Sequence, residues 1–196
     1  GEYKDSRHPE EVYFTKKIEE DLSRRDFTVN AMAMGKDFNV IDPFSGKTDI
    51  ENKVIRCVGD AEKRFSEDTL RIMRALRFSA TLGFSIEEET KNAILKLYPL
   101  LSNIAKERIF TELKKLVTGK NAGKILAEYK DVFAFIMPRL SSLSDDKYFE
   151  NAKRVKPEDT ALSFALLFDG LSGDEAGEIL SSLKSDGELK RRVKTL

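Results

Sequence analysis

The chain has one cysteine, Cys57, which excludes an internal disulfide and any multi-cysteine zinc site. It has one histidine, His8, in a polar N-terminal stretch, where a lone imidazole is more often solvated than catalytic. No run of about 18 apolar residues occurs, so no membrane-spanning helix is expected, and no signal-like N-terminus is visible. Charge of one sign is missing too: 34 Lys+Arg offset 34 Asp+Glu, for a net charge of zero. Any polyanionic partner must then be met by a local basic patch, because there is no global positive field. Repeats, low-complexity runs and long linkers are also missing. These absences point to a soluble intracellular chain, with the cytoplasm as the default compartment.

What is present is a chain of 196 residues, 40% hydrophobic and 35% charged. That length suits one large or two small domains with a real core under a densely charged surface. The sequence opens at Gly1 without an initiator Met and stops at Leu196 in a charged, helix-like stretch, so a fragment is expected. Residues 1–12 read as a loop and Tyr13 to Leu22 as a short helix. Gly35-Lys36-Asp37 is a turn signal, and Phe38 to Asp42 alternates like a strand. Pro43 and Gly46 mark a turn, Lys47 to Lys53 a short helix, and Val54 to Val58 a strand. Beyond residue 60 the chain reads as helical. Ser66 is the expected N-cap of a helix with an apolar stripe at Leu70, Met73, Leu76 and Ala80 and a C-cap at Gly83. Ser85 is the expected cap of the next helix. Further helices are expected at 106–118, 121–129, 130–136, 145–154, 158–168 and 174–184. The fold class that follows is α+β, mainly α, with a small α/β part first. Cys57, in an apolar strand, is expected to be buried and inert. The phenylalanines fall mostly at core spacing, not in a stacking array.

Four segments carry chemistry. In Glu67-Asp68-Thr69-Leu70-Arg71, Asp68 and Arg71 stand three apart and can meet on one helix face. A carboxylate only accepts hydrogen bonds and a guanidinium only donates them. Side by side they present an acceptor-plus-donor edge, complementary to the amino donor and ring-nitrogen acceptor that cytosine and adenine share. Guanine and uracil offer the reverse order. A mismatched base would leave buried groups unpaired, at roughly 1–3 kcal/mol each. The plainer reading is a solvated surface pair worth about 0.2–0.5 kcal/mol. In Arg24-Arg25-Asp26-Phe27-Thr28-Val29-Asn30, the two arginines suit phosphates, Asp26 a ribose hydroxyl or Arg25, and Asn30 a 2′-OH. The plainer alternative is a basic pair capping the preceding helix. In Asp42-Pro43-Phe44-Ser45-Gly46-Lys47-Thr48-Asp49, the turn brings Asp42 and Asp49 near one another, either as metal ligands or as an Asx-type brace. In Lys106-Glu107-Arg108-Ile109-Phe110-Thr111-Glu112, Arg108 and Glu112 are i, i+4 and read as a strut fixing neighbouring helices.

In order and spacing, these four segments together resemble the bacterial tRNA nucleotidyltransferase (CCA-adding) and poly(A) polymerase family of the class II nucleotidyltransferase superfamily. The resemblance runs from residue 1 to about 118. It implies a remainder of a nucleotidyltransferase head at 1–62, a helical neck with a base pocket at 63–119, and a helical body, truncated, at 120–196. It implies an enzyme in the intact protein, adding C and A to the tRNA 3′ end from CTP and ATP with Mg2+. The implied nucleotide-binding residues are Arg24, Arg25, Asp26, Asn30, Glu67, Asp68 and Arg71, with Arg74 and Arg77 beside them. Glu67 would orient Arg71 or the helix start. Asp42, Gly46 and Asp49 would form a hinge, Glu107, Arg108 and Glu112 a brace, and Asp5 and Arg7 part of a flexible loop. Basic residues such as Arg74, Arg77 and Lys114 would meet the acceptor stem. The family's glycine-rich phosphate loop with its Asp-x-Asp metal pair is absent from this sequence and would precede Gly1. No catalytic or metal-binding residue is therefore assigned within the chain, which is expected to be inactive alone, with Mg2+ held mainly upstream. No His-Asp phosphohydrolase-type motif is visible. A poly(A) polymerase, an A-only enzyme or a CC-only enzyme would share these motifs. Outside the class, a non-catalytic helical RNA-binding module is the alternative. Oligomeric state is not legible.

Overall fold

The computed structural model describes residues 18–35 and 38–196. Residues Asp5, Arg7 and His8, the expected loop at 1–12 and the first half of the expected helix at 13–22 lie outside them. The first described helix is α1 (Ile18–Ser23). A single 3-10 turn (Thr28–Asn30) follows, then β1 (Ala33–Met34) paired antiparallel with β2 (Val40–Ile41), Ala33 opposite Ile41. The expected strand at 38–42 is thus shorter, and Phe38 sits at positive φ. Next come α2 (Gly46–Glu51), β3 (Val54–Ile55) and α3 (Ala61–Glu67).

The helical layer begins with α4 (Leu70–Leu82), followed by β4 (Ser85–Ile86), α5 (Glu88–Leu97), α6 (Lys106–Val117), α7 (Ala122–Glu128) and α8 (Lys130–Ile136). It ends with α9 (Asp145–Arg154), α10 (Thr160–Leu167), α11 (Gly173–Ser182) and α12 (Gly187–Thr195). The mainly helical α+β class expected from the sequence is the observed one. One continuous apolar core runs from Phe27 to Val193.

Two expected caps fall elsewhere. Ser66 lies inside α3, whose N-cap is Asp60, accepting from Lys63 N at 2.9 Å. The Ser66 hydroxyl donates back to Glu62 O instead, as mid-helix serines do. The chain leaves helical geometry at Asp68 (φ −144°, ψ 94°) and re-enters it at Leu70. Ser85 belongs to β4, and Glu87 caps α5 by accepting from Thr90 N at 2.9 Å.

β4 explains that difference. It pairs in parallel with β3, Val54 beside Ser85 and Ile55 beside Ile86, across the helical crossover. Just past this ladder, residues 56–58 turn to residues 26–28: Thr28 N donates to Arg56 O (3.0 Å) and Val58 N to Asp26 O (3.1 Å). The stretch expected as one strand thus serves two partners.

α4 is the central helix. The expected stripe at Leu70, Met73, Leu76 and Ala80 is buried, and Ile72, Ala75 and Ser79 are buried as well. It is wrapped on several sides, chiefly by α6, α7 and α3. Gly83 ends it in the left-handed region (φ +76°), the conformation that favours glycine at this position. At its far end α4 meets the α6–α7 turn. A Cβ on Gly119 would fall 2.6 Å from Ala80 C and O, and Asn121 N donates to Ala80 O (2.9 Å).

Candidate functional site

The segment after α1 is held from three sides. Phe27 is fully buried, edge-on to Phe78 with ring centroids 5.8 Å apart. Asp26, only 8% exposed, accepts from Phe27 N (3.0 Å) and Asn30 Nδ2 (3.4 Å) with Oδ1. Its Oδ2 accepts from Arg74 of α4 through Nε (2.7 Å) and Nη2. Thr28 donates to Asp49 Oδ2 (2.7 Å), tying the segment to α2. Arg25 pairs with Asp21 on α1 (3.1 Å), and its carbonyl accepts from Arg64 of α3 (2.9 Å). The Arg24 carbonyl accepts from Arg71 Nη2 (3.3 Å).

An open cleft of about 470 Å3 lies between this segment and the start of α4. Its lining is Arg24, Arg25, Asp26 and Asn30 on one side, Asp68, Leu70, Arg71 and Arg74 on the other, with Arg108 from α6. Four expected residues of the Arg24–Asn30 segment and two of the Glu67–Arg71 segment therefore face one cavity, although some 38 to 47 positions separate them in sequence. Five guanidinium groups border it against two carboxylates, so the cavity favours an anion.

Asp68 and Arg71 have defined local roles. Asp68 Oδ1 accepts from Leu70 N (3.2 Å), so this carboxylate caps α4 from outside the helix. Arg71 Nη1 is buried and has no hydrogen-bond partner among the described residues. An unpaired buried donor of this kind costs about 1–3 kcal/mol, which an acceptor entering the cleft would offset.

Other expected residues lie elsewhere. Glu67 is not in the cleft lining and does not orient Arg71; it pairs with Arg64 Nη1 (2.9 Å). Arg77 also lies outside the lining. Its guanidinium stacks over Phe78 (4.1 Å) and its Nε sits 3.0 Å from Glu112 Oε2, off the N–H axis, so the pair holds as a charge contact and not as an aligned hydrogen bond. Glu112, 6% exposed, also lies 4.0 Å from Arg74 Nη1. The brace thus runs from α6 to α4 and does not join Arg108 to Glu112, and Arg108 is left to the cleft. Glu107 is exposed in the first turn of α6.

The two hinge aspartates are both engaged. Asp42 accepts from Gly46 N (2.7 Å) and Lys47 N (2.9 Å), the Asx-type brace of α2. Asp49, 5% exposed, holds Thr28 and Arg56 Nε (3.1 Å). Gly46 is needed because a Cβ there would fall 2.1 Å from Thr28 O. No group of three or more His, Cys, Asp or Glu able to hold a metal ion occurs among the described residues. Both carboxylates are spent on these braces.

Two further ties escaped sequence reasoning. Arg56 bridges Asp49 to Glu87 (Nη1 to Oε1, 3.4 Å), joining α2 to the cap of α5. Partial burial of Glu87 works against its charge, but hydrogen bonds from Thr90 and the nearby Arg56 outweigh this and hold its carboxyl below the usual range. Arg64 fixes the Arg25 carbonyl across 39 positions, and a lone arginine in a helical stretch gives no signal of that. Cys57 is buried, and burial pushes its thiol up to about 11, against the pull of Arg64 and Arg71.

Residues 1–56 match the family model described as the poly A polymerase head domain. Residues 83–143 match the one described as the probable RNA and SrmB-binding site of polymerase A. The CCA-adding enzyme of Leuconostoc mesenteroides is 55% identical over 124 residues, 63% of this chain and 31% of that enzyme. The CCA-adding enzyme of Lactobacillus delbrueckii is 37% identical over 200 residues, 99% of this chain and 50% of that enzyme, so the chain spans half or less of the length of these relatives. Among solved structures, the Bacillus stearothermophilus CCA-adding enzyme in complex with CTP superposes with a TM-score of 0.59 at 32% identity, over 93% of this chain and 44% of that one. A tRNA nucleotidyltransferase complexed with a primer tRNA and an incoming ATP analog gives 0.67 at 25% identity, over 91% of this chain and 58% of that one. No helix among the described residues is long and apolar enough to cross a membrane. Head and RNA-binding models of polymerase A are thus matched in order along one chain, and the cleft is built from the same segments that carried the resemblance to the bacterial tRNA nucleotidyltransferase and poly(A) polymerase family.

Proposed function

We propose that the protein containing this chain is a template-independent RNA nucleotidyltransferase that adds C and A to the tRNA 3′ end from CTP and ATP. The observation that carries this is the convergence of Asp68 and Arg71 on one cleft with Arg24, Arg25, Asp26 and Asn30. The unpartnered Arg71 Nη1 supplies a donor, and Asp68 keeps acceptor capacity beyond its bond to Leu70 N. Cytosine and adenine complement that edge; guanine and uracil would set donor against donor.

In this reading Arg24, Arg25 and Arg108 meet the triphosphate, while Asn30, steadied by Asp26, meets the ribose. Arg74 fixes Asp26, so its part is positioning, as is that of Asp42, Gly46, Asp49, Glu107 and Glu112. Mg2+ would neutralise the leaving pyrophosphate, and its ligands are assigned to carboxylates other than those described. The reading divides the chain into a head part at 1–62, a neck at 63–119 and a body at 120–196, in a cytoplasmic protein whose other substrate is the tRNA acceptor end. The β3–β4 ladder supports a head and neck that move little at that seam.

Titrating the chain with CTP, ATP, GTP and UTP tests the pocket. Preference for CTP and ATP is expected; equal binding of all four would leave a helical RNA-binding module as the better account. Incubating the intact protein with tRNA lacking its tail, and sequencing the products, separates CCA addition from A-only, CC-only and poly(A) synthesis.

A further inference from the structure

The bend between α1 and the 3-10 turn has no regular structure of its own to hold it. Its amides at Arg24 and Arg25 close back on Asp21 O and Leu22 O (3.1 Å each). Its three consecutive carbonyls are met from outside: Arg24 O by Arg71 Nη2 (3.3 Å), Arg25 O by Arg64 Nη2 (2.9 Å) and Asp26 O by Val58 N (3.1 Å). The first two donors belong to the arginines that flank Asp68, one on each side of the break between α3 and α4.

Arg64 holds that break as well. Its own carbonyl accepts from Asp68 N (3.2 Å), which closes α3 and sets where the Asp68 backbone leaves the helix. One residue thus grips Asp68 with its main chain and Arg25 with its side chain. The guanidinium is mostly covered, 16% exposed, and it does not line the cleft. Its Nη1 is fixed by Glu67 (2.9 Å), and its Nε is buried without a hydrogen-bond partner among the described residues. A guanidinium free to seek water would not leave that nitrogen dry, so the two Nη contacts dictate its place. The side chains of Arg24 and Arg25 are exposed, and where their charged ends reach follows from where their backbone is pinned.

We propose that Arg64 is a positioning residue for nucleotide selection: it sets the separation between Asp68 with Arg71, which read the base, and Arg24 with Arg25, which meet the phosphates, without itself touching the nucleotide. This rests on the nucleotidyltransferase reading of the cleft. A nucleotide must satisfy both ends at one separation, and holding that separation in advance makes the two contacts reinforce each other. A bare nucleoside or a bare phosphate chain needs no such spacing. Loss of Arg64 therefore acts on the joined ligand and spares its halves.

The test titrates the full chain with CTP, UTP, cytidine and inorganic tripolyphosphate. Arg64→Gln should weaken CTP about five- to tenfold and cut the preference for CTP over UTP by a similar factor, with cytidine and tripolyphosphate nearly unchanged. Arg64→Lys keeps the charge and a donor; it should unfold in urea near the parent's midpoint and fall between the two in CTP preference. Lys63→Gln removes an exposed charge from the same helix and should leave the preference at the parent's value. The inference is overturned if both Arg64 variants keep the parent's CTP-to-UTP ratio, even with a lowered midpoint, because Arg64 then serves the fold alone. It is overturned as well if Lys63→Gln lowers the ratio as much, or if cytidine and tripolyphosphate weaken as much as CTP. A parent chain that binds CTP and UTP equally would overturn the cleft reading, and this inference with it.

Discussion

Arg74 of α4 grips Asp26 through two nitrogens of one guanidinium, across 48 positions of sequence. Asp26 in turn holds Asn30 and the Phe27 amide. The wall of the cleft is thus fastened to the central helix by one charge-assisted contact. Arg74→Ala should destabilise the chain by roughly 1.5–3 kcal/mol, because it leaves a buried carboxylate without its cation. Arg74→Lys should recover part of that. Urea unfolding measures both, and an Arg74→Ala midpoint equal to the parent's would show the grip to be idle.

Asp68 has two separable jobs. Asp68→Ala removes an acceptor from the start of α4 and should cost about 1 kcal/mol. It should also relax selection of C and A over G and U. Asp68→Asn keeps an oxygen for Leu70 N, so its stability should stay near the parent's while base preference changes. Thermal unfolding read beside nucleotide titration separates the two effects. If both variants discriminate as the parent does, Asp68 does not read the base.

Glu112→Leu removes the negative partner of Arg77, whose side chain is 13% exposed, and of Arg74. An isolated buried cation follows, and a loss of about 3 kcal/mol is expected. The double change Glu112→Leu with Arg77→Met should restore much of it. A double-mutant cycle by chemical denaturation decides; additive losses would mean the two residues do not interact.

Burial holds the Cys57 thiol neutral up to about pH 11, whereas the unfolded thiol ionises near its ordinary 9.0. The folded pKa is the higher one. The contribution of this group to stability is therefore full below pH 9 and is lost as pH rises from there through about 11. At pH 8 the native thiol should react with a disulfide reagent far more slowly than the thiol in urea. Equal rates would show the site to be open.

Most helices and the motif order were legible because both are local: apolar spacing gave α4, and Gly83 marked its left-handed end. What escaped was non-local. β4 is two residues long and exists because β3 lies beside it. Ser66 was a sound cap by residue type, but Asp60 had already started α3, and the break came at Asp68. Arg108 and Glu112 sit at pairing distance along one helix, yet Glu112 is claimed by two arginines of α4. Residue type and spacing placed Arg24, Arg25, Asp26, Asn30, Asp68 and Arg71 in one motif set. They could not say that Arg77 would turn to Phe78 or that Glu67 would face Arg64.

The missing side chain at Gly119 has a mechanical consequence. Backbone touches backbone there, and farther along the same two rods Glu112 clamps them again. Two fastenings on a pair of parallel rods remove both sliding and splaying. One jaw of the cavity is therefore an anvil, and Arg74 bolts the opposite jaw to it through Asp26.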